Sequence, residues 1–223
     1  MPSSQYYHIS KIMEMIISLK PNSILDIGSG YGKFGVLCRE YLELWDGRQK
    51  YEFRMRIDCV EVFQDYITPL HNYVYSNIYN KNILELVLIL EHKYDLILLI
   101  DVLEHFEKEE GSNLLELLLK NHSGVLVSTP KKPSPQKDAF GNIYETHRSR
   151  WTRNDLKKFG ECSFIPDDVS LICYISQYKE LARDFRKNIK NLKRHGKITL
   201  KNRVKKIIRH IPGSLTVYKK IRQ

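Results

Sequence analysis

Cysteine is scarce in this sequence. Only four occur in 223 residues, Cys38, Cys59, Cys162 and Cys173. No two are close enough in the chain to clamp zinc, and their spacing has nothing of a disulfide framework. They are expected to be buried free thiols in a reducing compartment. Long apolar runs are missing too. The longest, Ile83 to Leu90, is broken by Glu85 and is far too short to span a bilayer. The segment Met1 to His8 has neither a basic nor an apolar stretch, which predicts no secretory signal and a cytoplasmic protein. With 42% hydrophobic and 28% charged residues, a disordered or collagen-like chain is excluded.

Acidic residues vanish near the end. From Arg186 onward there are 14 Lys and Arg residues and no Asp or Glu. The preceding part holds 22 basic and 26 acidic side chains, a formal charge of −4, although the whole chain carries +10. A tail of this kind attracts nucleic acid or an anionic lipid surface. The plain alternative is a solvated helical face. The tail also carries two apolar stripes at helical spacing: Leu181, Phe185, Ile189 and Leu192, then Leu200, Val204, Ile207, Ile208 and Ile211. Gly196 separates them, and Pro212-Gly213 ends the second. Such stripes need cover from the body, a second copy in a homodimer, or a membrane interface, and packing on protein is the commonest outcome. The expected division is a domain over 1–180 and a basic amphipathic helical extension over 181–223.

The body alternates helices and strands. Helices are expected at 6–20, Gly32 to Leu44, between the second and third strands, at Ile83 to Leu90, Glu109 to Lys120 and Thr152 to Phe159. Strands are expected at Ser23–Ile27, Arg56–Val62, near Val74-Tyr75, Tyr94–Ile100 and Gly124–Ser128, with two more between Cys162 and Ser176. This alternation implies an α/β fold with a parallel sheet covered on both faces. Lys131 to His147 has no periodicity and reads as a long loop, a kind that is often functional.

The sharpest motif is Asp26-Ile-Gly28-Ser-Gly30-Tyr-Gly32 between the first strand and its helix. Glycines allow a tight turn and close backbone approach to a ligand. In open α/β sheets ligands sit at the carboxyl ends of the strands, where this turn lies. A dinucleotide turn needs G-x-G-x-x-G directly after the strand. Gly30, Gly32 and Gly35 supply that frame three residues late, and in the correct frame Lys33 occupies the third position. Asp26 would repel a pyrophosphate there and welcome a cation. Glu61 ends the second strand, where a carboxylate can accept both hydrogen bonds of a ribose diol. Two carboxylates without a phosphate cradle favour S-adenosylmethionine, which carries a sulfonium and an ammonium.

These residues, with Tyr94-Asp-Leu-Ile-Leu-Leu-Ile-Asp-Val-Leu-Glu-His105, resemble the class I S-adenosylmethionine-dependent methyltransferases over about residues 20–180. The resemblance implies a Rossmann-like, seven-stranded, mostly parallel sheet with an antiparallel last strand. It implies that Asp26, Gly28, Gly30 and Gly32 lie by the methionine part and that Glu61 holds the ribose. It also implies that the Asn77-Ile78 and Asp101-Val102 regions flank the adenine or methionine. Trp45 to Arg56 is long for the family and reads as a surface insertion or part of the substrate rim.

Methyl transfer mainly requires alignment and exclusion of water, and a hydroxyl acceptor adds the need for a base. His105 and His147 are the catalytic candidates. Lys131, Lys132, Lys137, Arg148 and Arg150 could meet an anionic acceptor, with Tyr144 and Trp151 as stacking faces. Alternatively Trp151 is core and Thr152 caps the next helix with Asp155. Asp101, Glu104 and His105 would share one face of a helical turn and, with His147, could form a divalent metal site. That pattern is similar to the small-RNA 3′-terminal 2′-O-methyltransferases. The first expectation is therefore methyl transfer to oxygen or nitrogen of a small or carrier-linked acceptor. The alternatives are a metal-assisted RNA ribose 2′-O-methyltransferase and a non-catalytic module that keeps the cofactor pocket.

Overall fold

Strands this apolar must be covered on both sides, and in the computed structural model they are. It describes residues 6–44, 47–138 and 141–191. The strands are β1 (Ser23–Ile27), β2 (Arg56–Val60), β3 (Ile78–Tyr79), β4 (Leu96–Ile100), β5 (Val125–Pro130), β6 (Glu161–Ile165) and β7 (Ser170–Ser176). They form one seven-stranded sheet in the order β3-β2-β1-β4-β5-β7-β6. The first five are mutually parallel, and β7 runs antiparallel to both β5 and β6. The strand order reverses between β1 and β4, the place where open α/β sheets leave a crevice.

Strand parity sorts the core into two layers, because successive side chains leave opposite faces. Leu25, Ile27, Val60, Ile97, Leu99, Val125 and Val127 meet α5 (Lys108–Asn121) through Leu114, Leu115 and Leu118. Ile24, Ile57, Cys59, Leu96, Leu98 and Leu126 meet α1 (Ile9–Leu19) and α2 (Lys33–Leu42) through Ile12, Met15, Ile16, Phe34 and Cys38. The remaining short helices are α3 (Pro69–Val74), α4 (Ile83–Leu86) and α6 (Arg153–Leu156). Cys38, Cys59 and Cys173 are buried free thiols and Cys162 is a half-buried one. Among the described residues no helix is long and apolar enough to cross a membrane.

Some boundaries differ from expectation. The third strand is Ile78–Tyr79, because Pro69 starts a helix that still holds Val74. The helix expected over Ile83 to Leu90 makes a single turn to Leu86, and Leu88 and Ile89 are exposed beyond it. The described part of the segment after α2, residues 47–56, packs back on that helix. Buried Glu43 accepts from the backbone N–H groups of Arg54 (2.7 Å) and Met55 (2.9 Å) and pairs with Arg39, which holds the described part of that segment against α2.

Residues 179–191 form a further helix, α7. Ala182 and Phe185 are buried, Phe185 lies 5.2 Å from the Tyr174 ring, and Ile189 packs on the same layer. The first stripe therefore covers the body, while Leu181 faces outward. The expected boundary between 180 and 181 falls inside this helix. Leu192 and the second stripe, with most of the basic tail, lie outside the described residues.

Candidate functional site

One large cavity, about 780 Å³, opens at the carboxyl ends of β1, β2 and β4. That volume suits a nucleoside-sized ligand together with a small acceptor. Asp26, Gly28, Gly30, Glu61, Asp101, Val102, His105 and His147 all line it.

Gly28, Gly30 and Gly32 have φ of +70°, +54° and +82°, the left-handed region that admits glycine most readily. A Cβ on Gly28 would also run into Val102, so the turn and the segment after β4 are matched in shape. Gly32 is not part of the wall; it caps α2. Gly35, the last member of the late dinucleotide frame, has a different task. A Cβ there would strike the Tyr75 ring, and Tyr75 needs that space to donate its hydroxyl to Asp26 Oδ2 at 2.6 Å. His71 clamps the turn from below. Thr68 N–H donates to its Nδ1 (3.1 Å), which leaves Nε2–H to donate to the Gly30 carbonyl (3.0 Å).

Both carboxylates are buried and both are perturbed. Burial raises Asp26 to about 6, against the opposing pull of the Tyr75 hydroxyl and the Lys33 ammonium. Burial likewise raises Glu61 to about 7, opposed by two backbone N–H groups and reinforced by Glu145 and Asp26. Those N–H groups belong to Gly30, 2.8 Å from Oε2, and Phe63, 2.9 Å from Oε1. Glu61 thus ties the glycine turn to the end of β2. Each of its oxygens keeps a lone pair for a ligand hydroxyl.

Asn77 belongs elsewhere. It is exposed at the start of β3, donates to Asp58 Oδ1 at 3.0 Å, and does not line the cavity. Lys81 and Asn82, beyond β3, make that part of the wall. The reason is register: Ile78 pairs with Cys59, so the strand's carboxyl end comes two residues after Asn77.

Asp101 leaves the helical-face arrangement expected of it. It sits at φ +55°, unusual for a residue with a side chain, and accepts from Ser128 Oγ at 2.8 Å. Only after it does a one-turn 3-10 helix, Leu103–His105, begin. Glu104, His105 and His147 remain together, each offering a ligand atom within 4.8 Å of the others.

The loop before α6 delivers His147. Arg148 N–H and Ser149 N–H donate to the Glu104 carbonyl at 2.8 and 3.1 Å, and Trp151 Nε1–H donates to the Leu103 carbonyl at 3.2 Å. Trp151 is fully buried, so it anchors this loop and is no stacking face for a substrate, and Thr152 caps α6 with Asp155 as expected. Each histidine donates Nδ1–H to a backbone carbonyl, His105 to Thr146 (3.2 Å) and His147 to Ser134 (2.7 Å). Both Nε2 atoms are then acceptors, on rings 5.1 Å apart. Burial lowers His105 and keeps it neutral, and burial beside Asp101 raises Glu104 to about 8. Among the basic residues proposed for an acceptor, Lys132 and Arg148 line the cavity, with Tyr144. Lys131 instead binds the Asp167 carbonyl, and Arg150 donates to the Lys131 carbonyl.

Sequence reasoning missed His8, His71, Tyr75, Tyr66 and Glu145. Tyr66 and Glu145 line the cavity, and Tyr66 donates to Glu145 across it at 3.2 Å. Only His71 has a local signal, as the third residue of a capping box begun by Thr68. Each reaches a partner distant in the chain.

The strand order and the crevice at its reversal define the Rossmann-like fold of the class I methyltransferases. An O-methyltransferase family protein from Burkholderia thailandensis superposes at a TM-score of 0.56 and 11% identity, over 78% of this chain and 56% of that one. This chain thus spans little more than half of that neighbour. A SAM dependent methyltransferase from Archaeoglobus fulgidus gives 0.52 at 20% identity, over 86% and 89% of the two chains. The N-terminal domain of EvdMO1, solved in the presence of SAH and D-fucose, gives 0.53 at 13% identity, over 78% and 84%. No protein-family model matches the sequence, and no curated protein sequence matches it significantly.

Proposed function

We propose that this protein is a methyltransferase that takes its methyl group from S-adenosylmethionine and passes it to an oxygen or nitrogen of a small or carrier-linked acceptor. One observation carries this reading: Asp26 and Glu61 come from the carboxyl ends of neighbouring strands and face one cavity beside a glycine turn. Two desolvated carboxylates favour a cationic ligand and disfavour phosphates. The solved neighbours named SAM dependent, or solved in the presence of SAH, support the same choice.

In this reading Glu61 receives the ribose hydroxyls, Asp26 and Asp101 attract the ammonium, and Gly28 with Val102 shapes the wall. When bound, the cofactor supplies an electrophilic methyl carbon on a sulfonium sulfur. His105 and His147 face the same cavity with basic Nε2 atoms and hold the acceptor's proton, while the loop sewn to Leu103 and Glu104 shields that end from water.

A second reading rests on the cluster of Glu104, His105 and His147. A carboxylate with two imidazole nitrogens is a donor set for a divalent first-row cation, which would hold and acidify an acceptor hydroxyl such as an RNA ribose. Activity on a hydroxyl acceptor should then vanish with a chelator and return with Mn²⁺; activity untouched by chelator leaves the two histidines as direct bases.

The main reading is tested by calorimetry. Asp26→Ala should abolish S-adenosylmethionine binding, and Glu61→Ala should weaken it by about 1.5–3 kcal/mol, the scale of a charged hydrogen-bond partner. Unchanged affinity in both variants, or tighter binding of NADH, refutes it.

A further inference from the structure

Two buried residues of the cavity wall have no part in the chemistry described so far, Tyr66 and Glu145. Tyr66, in the 3-10 turn after β2, donates to Glu145 Oε1 at 3.2 Å across 79 positions of chain. Its ring packs on Tyr31 and Phe63, with ring centres 5.1 and 4.9 Å away. From the other side, Gln136 Nε2 donates to the Glu145 carbonyl at 2.7 Å and to Oε2 at 3.4 Å. Burying a carboxylate costs free energy that two neutral donors only partly offset. Each of its oxygens can accept more than one hydrogen bond. Glu145 also acts electrostatically on both Glu61 and His105, so it stands within reach of the proposed ribose end and of the histidine end.

The polar atoms at the histidine end narrow what Glu145 meets there. Glu104 Oε2 is buried and makes no hydrogen bond among the described residues. An orphaned oxygen of this kind calls for a partner. His105 and His147 commit Nδ1–H to backbone carbonyls and present Nε2 as acceptors. These groups belong to two chain segments, 104–105 and 145–147, that line one wall. A ligand must therefore bring several donors on different atoms. An amine carries its N–H bonds on one nitrogen, whereas a sugar carries hydroxyls on neighbouring carbons. Phosphates are disfavoured. Glu104, Glu107, Glu110 and Glu145 line this end against Lys132 and Arg148, and Arg148 already lies 3.8 Å from Glu107. Tyr144 adds an exposed ring to the same wall, a face for the C–H bonds of a sugar.

We infer that the acceptor is a neutral saccharide: Glu145 and Glu104 hold its non-reacting hydroxyls, Tyr144 covers its ring, and His105 and His147 meet the hydroxyl to be methylated. The inference rests on the proposed methyl transfer and names its substrate class. The reacting hydroxyl oxygen bonds the methyl carbon as the carbon–sulfur bond breaks, and its proton passes to a histidine Nε2, leaving a methyl ether and S-adenosylhomocysteine. Glu145 is a specificity-determining residue, and Tyr66 is a positioning residue that acts through it.

The test uses the full-length protein, S-adenosylmethionine with a labelled methyl group, and a panel of p-nitrophenyl hexopyranosides and 6-deoxyhexopyranosides. A chelator is present, because a divalent ion would occupy Glu104, His105 and His147. At least one glycoside should gain a single O-methyl group by mass spectrometry. Glu145→Gln should raise its KM about tenfold or more, and Tyr66→Phe should raise it in the same direction, with kcat within about threefold. S-adenosylhomocysteine affinity should stay within about twofold in both variants, with thermal unfolding confirming that they fold. A KM that does not move in Glu145→Gln, or an equal loss of S-adenosylhomocysteine affinity, overturns the inference. So does glycoside methylation that requires added Mn²⁺, or methylation of an oligoribonucleotide or a primary amine while the panel stays inert. If the wild type binds S-adenosylhomocysteine but neither methylates any glycoside nor shows saturation-transfer contact with one, the saccharide reading fails and the cofactor reading survives. Failure to bind S-adenosylhomocysteine removes the cofactor reading itself, which distinguishes the two failures.

Discussion

Asp26 and Glu61 are acids kept partly out of water, and their chemistry follows from that. Burial raises both above the ordinary carboxylate range, to about 6 and about 7. Each is uncharged below its own value and anionic above it. A cationic ligand should therefore bind weakly near about pH 5 and gain affinity as pH rises through both values, levelling above about pH 8. The stability of the ligand-free protein runs the other way. The folded state holds these protons more tightly than the unfolded chain, so their contribution is complete below the unfolded carboxylate values and is lost as pH rises through about 6 and about 7. Calorimetric titration of S-adenosylmethionine across this window checks the first trend. An affinity that falls with rising pH would show that the two acids are not the ligand's partners.

Among the elements, α7 carries the packed part of the chain past residue 180. Composition alone makes the region after 180 an extension, yet Phe185 is buried against Tyr174 and belongs to the same core layer as Phe34 and Ile12. Removing a buried phenylalanine side chain costs about 3–5 kcal/mol when the hole cannot close. Phe185→Ala should lower the unfolding free energy by that amount in urea denaturation. A loss under about 1 kcal/mol would make α7 a loosely attached appendage. The loop that carries His147 shows the same dependence on docking. Its amphipathic signal is nil, and its position comes from bonds to the carbonyls of Leu103 and Glu104. Hydrogen-bonding capacity is common to every backbone, so no residue type in the loop announces where it will attach.

For the whole molecule, the charge asymmetry separates chemistry from recruitment. Of the 14 basic residues from Arg186 onward, 11 follow Asn191. A cut after Asn191 keeps the packed helix, which a cut before Arg186 would shorten. The truncated chain should retain its affinity for S-adenosylmethionine and lose most of its salt-sensitive retention on a polyanion such as RNA or heparin, because each lost phosphate contact lowers the salt dependence. Filter-binding at several salt concentrations measures this. Undiminished retention would place the polyanion contact on the body, and loss of cofactor affinity would tie the tail to the site.

The alternation of apolar strands and amphipathic helices, the turn from Asp26 to Gly32, and the acids at the ends of β1 and β2 were legible from residue order. These patterns are local, and the period of each element is written in consecutive side chains. The sheet's two-layer core follows from the same parity. Tertiary structure alone decided what completes the site. His8 meets Ser170 across 162 positions, Tyr75 reaches Asp26 across 49, and His105 holds Thr146 across 41. Asp101 left its expected helical face because Ser128, from the next strand, captured its carboxylate. Pairings over such separations depend on the route of the backbone, and no short window of sequence contains that route.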